Sequence, residues 1–152
     1  MPNWGEVLKE IQDTHKKNPK VNAIDVVRRK YLNKIQKETG RNVIAYYSGW
    51  LQKPKAPDTA VNDKDKSGLM LTIHKLEKSK GLDLILHTPG GDLAATESLV
   101  DYLYSIFDYN IRVIVPQISM SAGTMIALSS KEILMGKHSN LGPIDPQMGG
   151  LA

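Results

Sequence analysis

The stretch Ile111–Leu128, which reads I-R-V-I-V-P-Q-I-S-M-S-A-G-T-M-I-A-L, decides the fold. Its first five residues are mostly apolar and β-branched, which is typical of a strand buried on both faces, and Pro116 ends that strand because proline cannot donate to a ladder. The residues from Ser121 to Leu128 are small or apolar on every side, and this pattern predicts a buried helix. Ser121 is therefore predicted to lie where a central strand passes into a buried helix.

This position suits a nucleophile. Free N–H groups and the positive end of the helix dipole would face the Ser121 hydroxyl, and both stabilise the oxyanion that its attack creates. The alternative is that Ser119 or Ser121 only caps the helix, which is the commoner role of a serine at such a place.

A second stretch makes the nucleophile hypothesis stronger. Residues Leu82–His87 have the pattern of a strand, and T-P-G-G-D at Thr88–Asp92 leads into a helical pattern that begins near Leu93. Two glycines let backbone N–H groups face a cleft that any Cβ would crowd. Because neighbouring parallel strands end at the same edge of a sheet, we expect the two turns to face each other across one crevice.

The two motifs together resemble a known superfamily. H-T-P-G-G-D at His87–Asp92 and S-M-S-A-G-T at Ser119–Thr124 are similar to the Clp protease proteolytic subunit and signal peptide peptidase superfamily. Within it, the resemblance is to the serine dehydrogenase proteinase group, over roughly residues 43–147. It implies an α/β fold, a Clp/crotonase-like spiral of β-β-α units with a mainly parallel central sheet, preceded by N-terminal helices.

The resemblance also implies roles for particular residues. Ser121 matches the nucleophile, the amides of Gly91 and Ala122 match the oxyanion hole, and Gly90 shapes the turn beside the substrate. It further implies a peptide or protein substrate and a homo-oligomer, since the superfamily forms rings. A membrane-protein substrate is left open.

The general base is the missing part of this comparison. Clp-type relatives have a histidine after the serine where this chain reads G-P-I-D-P at Gly142–Pro146, so the nearest candidate is His138. In signal peptide peptidases the base is a lysine, which in forms where it follows the serine would lie beyond Ala152. Lys131, Lys137 and His87 are the other candidates for the base.

Two further residues have alternative roles. His87 is expected near the crevice mouth, where it would bind substrate backbone or relay a proton, and a packed histidine at the strand end is the alternative. Asp145 either orients a base or lines the cleft. Asp92 is expected to cap the helix that follows it.

Bulk properties narrow the function classes. The chain has 152 residues, a formal net charge of +4 and no cysteine, so disulfides and thiolate catalysis are excluded. No His-x-x-x-His motif or acidic cluster predicts a metal site, and no cofactor is expected. The apolar runs are too short for a membrane span and the N-terminus lacks the pattern of a signal peptide. A cytoplasmic location is therefore expected, with peripheral contact with a membrane left open.

The predicted organisation is an N-terminal helical arm over residues 1–41 and a core over residues 42–152. One helix of the arm starts at Asn3, and the second runs from Asn22 to Gly40 with a basic outer face that we interpret as solvated or facing a subunit, so no nucleic acid is expected. The core is expected to be truncated at its C-terminus. Its proline-containing stretch, residues 51–60, is interpreted as a surface connection, with a lid over the cleft as the alternative.

The hypothesis for function is a serine protease that hydrolyses peptide bonds through an acyl-enzyme on Ser121. The alternatives are a catalytically incomplete scaffold or peptide-binding protein of the same fold, and crotonase-like acyl-CoA chemistry.

Overall fold

The structure, a computed structural model, describes residues 2–145. The chain divides into two compact units, one up to Val43 and the other from Ile44 onward. The first unit contains helices α1 (Trp4–Lys17) and α2 (Ala23–Thr39). Both start and end as the sequence predicts, since Asn3 and Glu6 form a capping box and α2 ends at Gly40 with a φ of 68°.

The two helices are joined by a polar cluster. The Tyr31 hydroxyl of α2 donates to the Glu10 carboxylate of α1 over 2.9 Å, and the Lys30 ammonium donates to the same carboxylate. Hydrogen bonding with Glu10 raises the pKa of both donors, and these bonds lower the pKa of Glu10.

From Asn42 onward, strands and helices alternate around a mainly parallel sheet. The elements in chain order are β1 (Asn42–Tyr47), α3 (Asp63–Ile73), a 3₁₀ turn (Lys78–Lys80), β2 (Leu82–His87), α4 (Leu93–Phe107), β3 (Ile111–Val115), β4 (Ile118–Ser119), α5 (Ala122–Leu128), β5 (Glu132–Met135) and β6 (Asn140–Leu141). The central sheet has the order β1-β2-β3-β5, with parallel pairing of β2 with β3 and of β3 with β5. The short strands β4 and β6 form a second parallel pair. The predicted α/β class, with N-terminal helices before a mainly parallel sheet, is confirmed.

One face of the central sheet holds the core. Every second residue of β2 and β3 points to this face, among them the fully buried Leu84 and Val113. The helices cover it with apolar side chains that are all but inaccessible, among them Leu69, Ile73, Leu99, Leu103 and Ile126. Strand β3 differs from the prediction, because Arg112 and Ile114 are only half-buried. Its apolar run therefore belongs to a strand with one fully buried face.

The other face of the sheet carries an ion pair between a buried carboxylate and a half-buried guanidinium. Asp83 and Arg112 are register partners on neighbouring strands, and the Arg112 guanidinium donates from Nε and from an Nη nitrogen to the two carboxylate oxygens over 3.0 and 2.7 Å. The hydrogen bond to Asp83 raises the pKa of Arg112. This pair fixes the register of β2 against β3, the two strands whose ends lead to the candidate site. Within residues 2–145, no helix is long and apolar enough to cross a bilayer.

Candidate active site

The two predicted turns meet at the carboxyl edge of the sheet. The Met120 N–H donates to the Thr88 carbonyl over 3.0 Å, and Thr88 and Ser119 form an isolated parallel bridge. Next to this contact lies a cavity of about 440 Å³ whose walls are Ala60, Pro89, Gly90, Gly91, Met120, Ser121, Pro143 and Asp145. The predicted crevice between the two turns is therefore present.

Ser121 has a strained backbone at the floor of this cavity. Its φ of 48° and ψ of −117° lie in a region that residues other than glycine rarely adopt. The Ser121 hydroxyl makes no capping bond to α5, and the fully buried Ser119 hydroxyl has no hydrogen-bond partner among the described residues. Ser121 therefore occupies the N-cap position of α5 but its hydroxyl does not cap the helix, and Ser119 lies outside that position.

Gly90 allows the two turns to come this close. A Cβ built on Gly90 would lie 2.7 Å from the Ser121 Cβ, 2.7 Å from the Met120 carbonyl oxygen and 3.0 Å from the Ala122 nitrogen. The φ of Gly90 is +96°, which also favours glycine. The backbone of the glycine turn therefore packs directly on the serine turn.

Two backbone amides, one in each turn, have no acceptor among residues 2–145. Val61 pairs with Gly91 through bonds from the Val61 N–H to the Gly90 carbonyl and from the Asp92 N–H to the Val61 carbonyl, so the Gly91 N–H points away from Val61. The Ala122 N–H begins α5 and donates to none of the described groups. These are the two amides that the sequence comparison matched to an oxyanion hole.

The end of the proline-containing stretch lies in the wall of the cavity, as in the alternative that placed this stretch at the cleft. Ala60 lines the cavity, and a Cβ on Gly91 would come within 2.3 Å of the Val61 nitrogen and oxygen. The interpretation of residues 51–60 as a plain surface connection is therefore wrong at Ala60. Nothing in the composition of this stretch signals the contact, because it depends on backbone hydrogen bonds.

Thr124 holds the opposite wall of the cavity. Its buried hydroxyl bridges the Ser119 carbonyl at 3.0 Å and the Gly142 carbonyl at 2.9 Å, and the Gly142 N–H donates to the same Ser119 carbonyl. This contact fixes the segment that continues to Pro143 and Asp145. Asp145 is the titratable side chain among the described residues that line the cavity.

The other candidate bases lie elsewhere. His138 is exposed in the turn between β5 and β6, and Lys131 and Lys137 are also exposed; none of the three lines the cavity. His87 is buried, with only 2 % of its surface accessible, and its ring stacks on aromatic rings instead of facing the crevice mouth. Its geometry favours the packed alternative over substrate contact. Asp92 caps α4 as expected, since the Ala95 N–H donates to its carboxylate over 2.7 Å.

One tyrosine near the glycine turn has a raised pKa. Burial raises the pKa of the Tyr46 phenol, and the neighbouring Asp65 carboxylate acts in the same direction. Tyr46 therefore stays neutral at physiological pH and is not among the residues that line the cavity.

Comparison with known proteins agrees with this site. The family model described as ClpP-like SDH-type serine proteinase matches residues 16–152. The uncharacterized proteins MJ0137 and MJ1495 of Methanocaldococcus jannaschii are 41% and 37% identical to this chain over 86 residues. That stretch is 57% of this chain but only 30% and 29% of the two relatives. Since the family model covers both turns and nearly all of the chain, this protein belongs to the ClpP-like SDH-type serine proteinase family.

Proposed function

We propose that this protein hydrolyses peptide bonds through an acyl-enzyme on Ser121. The observation that carries the proposal is the strained Ser121 at the cavity, whose hydroxyl makes no capping bond. The two turns that meet there also contain two amides without acceptors among the described residues. Strain of this kind persists only where the surrounding structure holds it, and it is concentrated at active sites. Membership of a serine proteinase family supports the same assignment.

The proposed reaction has two steps. The Ser121 Oγ attacks the carbonyl carbon of the scissile bond while a base takes its proton, and the Gly91 and Ala122 N–H groups stabilise the resulting oxyanion. Collapse of this intermediate breaks the C–N bond, and the amine leaves with a proton. Water then hydrolyses the ester and restores the Ser121 hydroxyl. Among the described residues at the cavity, Asp145 is the candidate to orient the base. The base itself is left unassigned.

The second candidate is a peptide-binding scaffold without turnover. One observation favours it: among the described residues that line the cavity with Ser121, none is a histidine or a lysine. A serine hydroxyl without a base is a poor nucleophile. The third alternative, acyl-CoA chemistry, would use the same amides without a serine nucleophile.

Intact-protein mass spectrometry after treatment with a fluorophosphonate separates these functions. We expect one adduct on the wild-type chain, no adduct on Ser121→Ala, and an unchanged adduct on Ser119→Ala, because Ser119 is buried outside the cavity. An adduct that persists in Ser121→Ala would contradict the assignment of the nucleophile. Absence of an adduct on folded protein would favour the scaffold.

The proposed partners are a peptide or protein substrate and further copies of this chain. Peptide turnover by the wild type and its loss in Ser121→Ala would support the first, and the second is tested by the mass of the assembly.

A further inference from the structure

His87 is buried and in contact with two aromatic rings directly before the glycine turn. Its ring centroid lies 4.7 Å from that of Tyr47 at an angle of 20°, and 4.6 Å from that of Trp50 at 42°. Contact with both aromatic rings restricts the rotation of the imidazole. This geometry agrees with the packed alternative of the sequence analysis, and the buried ring needs a role other than substrate contact.

The hydrogen bonding of His87 also argues against a role in proton transfer. Its Nδ1 lies 3.2 Å from the Ser48 carbonyl oxygen, which can only accept, so Nδ1 carries the hydrogen. Its Nε2 is buried and has no partner among residues 2–145. In the opposite direction, the Ser48 N–H donates to the His87 carbonyl over 2.8 Å. His87 and Ser48 are therefore bound to each other through both backbone and side chain.

The segment that holds His87 returns to hold the other end of the glycine turn. We call residues 47–61 the clamp. Its base is closed by a bond of 2.6 Å from the Ser48 hydroxyl to the Thr59 carbonyl, and its end pairs with Gly90–Asp92 through the two backbone bonds of Val61, at 2.7 and 2.9 Å. The turn that carries the Gly91 amide is thus fixed at His87 and again at Gly91.

We propose that His87 is a positioning residue. Its contacts with Tyr47 and Trp50 of the clamp hold it in place, and it thereby positions the Gly91 amide in the oxyanion hole. This proposal rests on the proposed function, because it assigns a positioning role within the same site. An oxyanion donor acts only at hydrogen-bond distance from the developing charge, and loss of one donor lowers turnover by about 10²–10³-fold. A displaced donor should lower it less, by about tenfold to a hundredfold.

Acylation kinetics with the fluorophosphonate test this role in the full chain. The maximal acylation rate and the probe concentration that gives half of it are measured for Trp50→Leu, with Trp50→Phe as the conservative control. The positioning role predicts that Trp50→Leu lowers the maximal rate by about tenfold or more, leaves the half-saturating concentration within about twofold, and is rescued in Trp50→Phe. Tyr47→Leu, at a ring that is 59 % exposed, is the second variant if Trp50→Leu does not fold.

Hydrogen exchange of the Val61 and Asp92 amides, whose bonds join the clamp to the glycine turn, provides a measurement that does not depend on catalysis. The clamp predicts at least tenfold faster exchange of these amides in Trp50→Leu than in wild type, with exchange in α4 unchanged. If the wild type is not acylated, the proposed function fails, and this exchange still decides whether the clamp exists. An unchanged maximal acylation rate together with unchanged exchange would overturn the positioning role. A raised half-saturating concentration at a constant maximal rate would overturn it as well, because that result indicates direct contact with the substrate.

Discussion

At the scale of a single residue, the backbone conformation of Ser121 serves the proposed function and lowers the stability of the fold. A β-carbon in its conformation is unfavourable, so the serine is retained at a cost to folding of about 1–3 kcal/mol. Ser121→Gly should relieve this strain, whereas Ser121→Ala should keep it. We therefore expect Ser121→Gly to be more stable than Ser121→Ala by about 1 kcal/mol in urea unfolding, while neither variant is acylated.

Gly68 offers the opposite case as a control for this comparison. It lies inside α3 with an ordinary φ and nothing within 4 Å of a built Cβ, so Gly68→Ala should stabilise the chain by about 0.5–1 kcal/mol. The sign of a glycine effect is thus opposite at the two positions. Equal stability of Ser121→Gly and Ser121→Ala, or a more stable alanine variant, would show that the strain is absent in solution.

At the scale of elements, Thr124 connects α5 to the end of β6. Thr124→Val has almost the same shape but leaves the half-buried Gly142 carbonyl without its hydroxyl partner, and the loss of such a hydrogen bond costs about 1 kcal/mol. We expect this loss in urea unfolding together with slower acylation, since Pro143 and Asp145 follow Gly142 in the cavity wall. Thr124→Ser, which keeps the hydroxyl, should retain most of both. A valine variant as stable as the serine variant would contradict the link.

The elements themselves were largely predictable, and the contacts between distant segments were not. Asn62 with Asp65 three residues later correctly indicates the start of α3, because a capping box is made of neighbours in sequence. The glycines of the site were likewise identified from their place after a strand. In contrast, the stacking of Trp50 on His87 and the pairing of Val61 with Gly91 join residues about thirty or more positions apart, and local patterns contain no signal for them.

Assembly belongs to the scale of the whole molecule. Strand β5 lies at one edge of the central sheet in the described part of the chain, and its Leu134 and Met135 are 38 % and 43 % exposed. An edge with unpaired backbone groups and exposed apolar side chains favours pairing with another strand. This observation supports the expectation of a homo-oligomer independently of the resemblance from which it first came.

Sedimentation velocity at micromolar concentration tests that expectation. We expect the wild-type chain to sediment as a species heavier than the 16.9 kDa monomer, and Leu134→Lys to shift it towards the monomer because a charge at the edge of a sheet opposes strand pairing. Leu71→Lys is the matched control, since Leu71 is 82 % exposed on α3, away from that edge. A wild-type monomer, or an equal shift in both variants, would exclude β5 as the contact. If Leu134→Lys alone dissociates the oligomer and its acylation falls as well, the assembled state is the one in which Ser121 is competent.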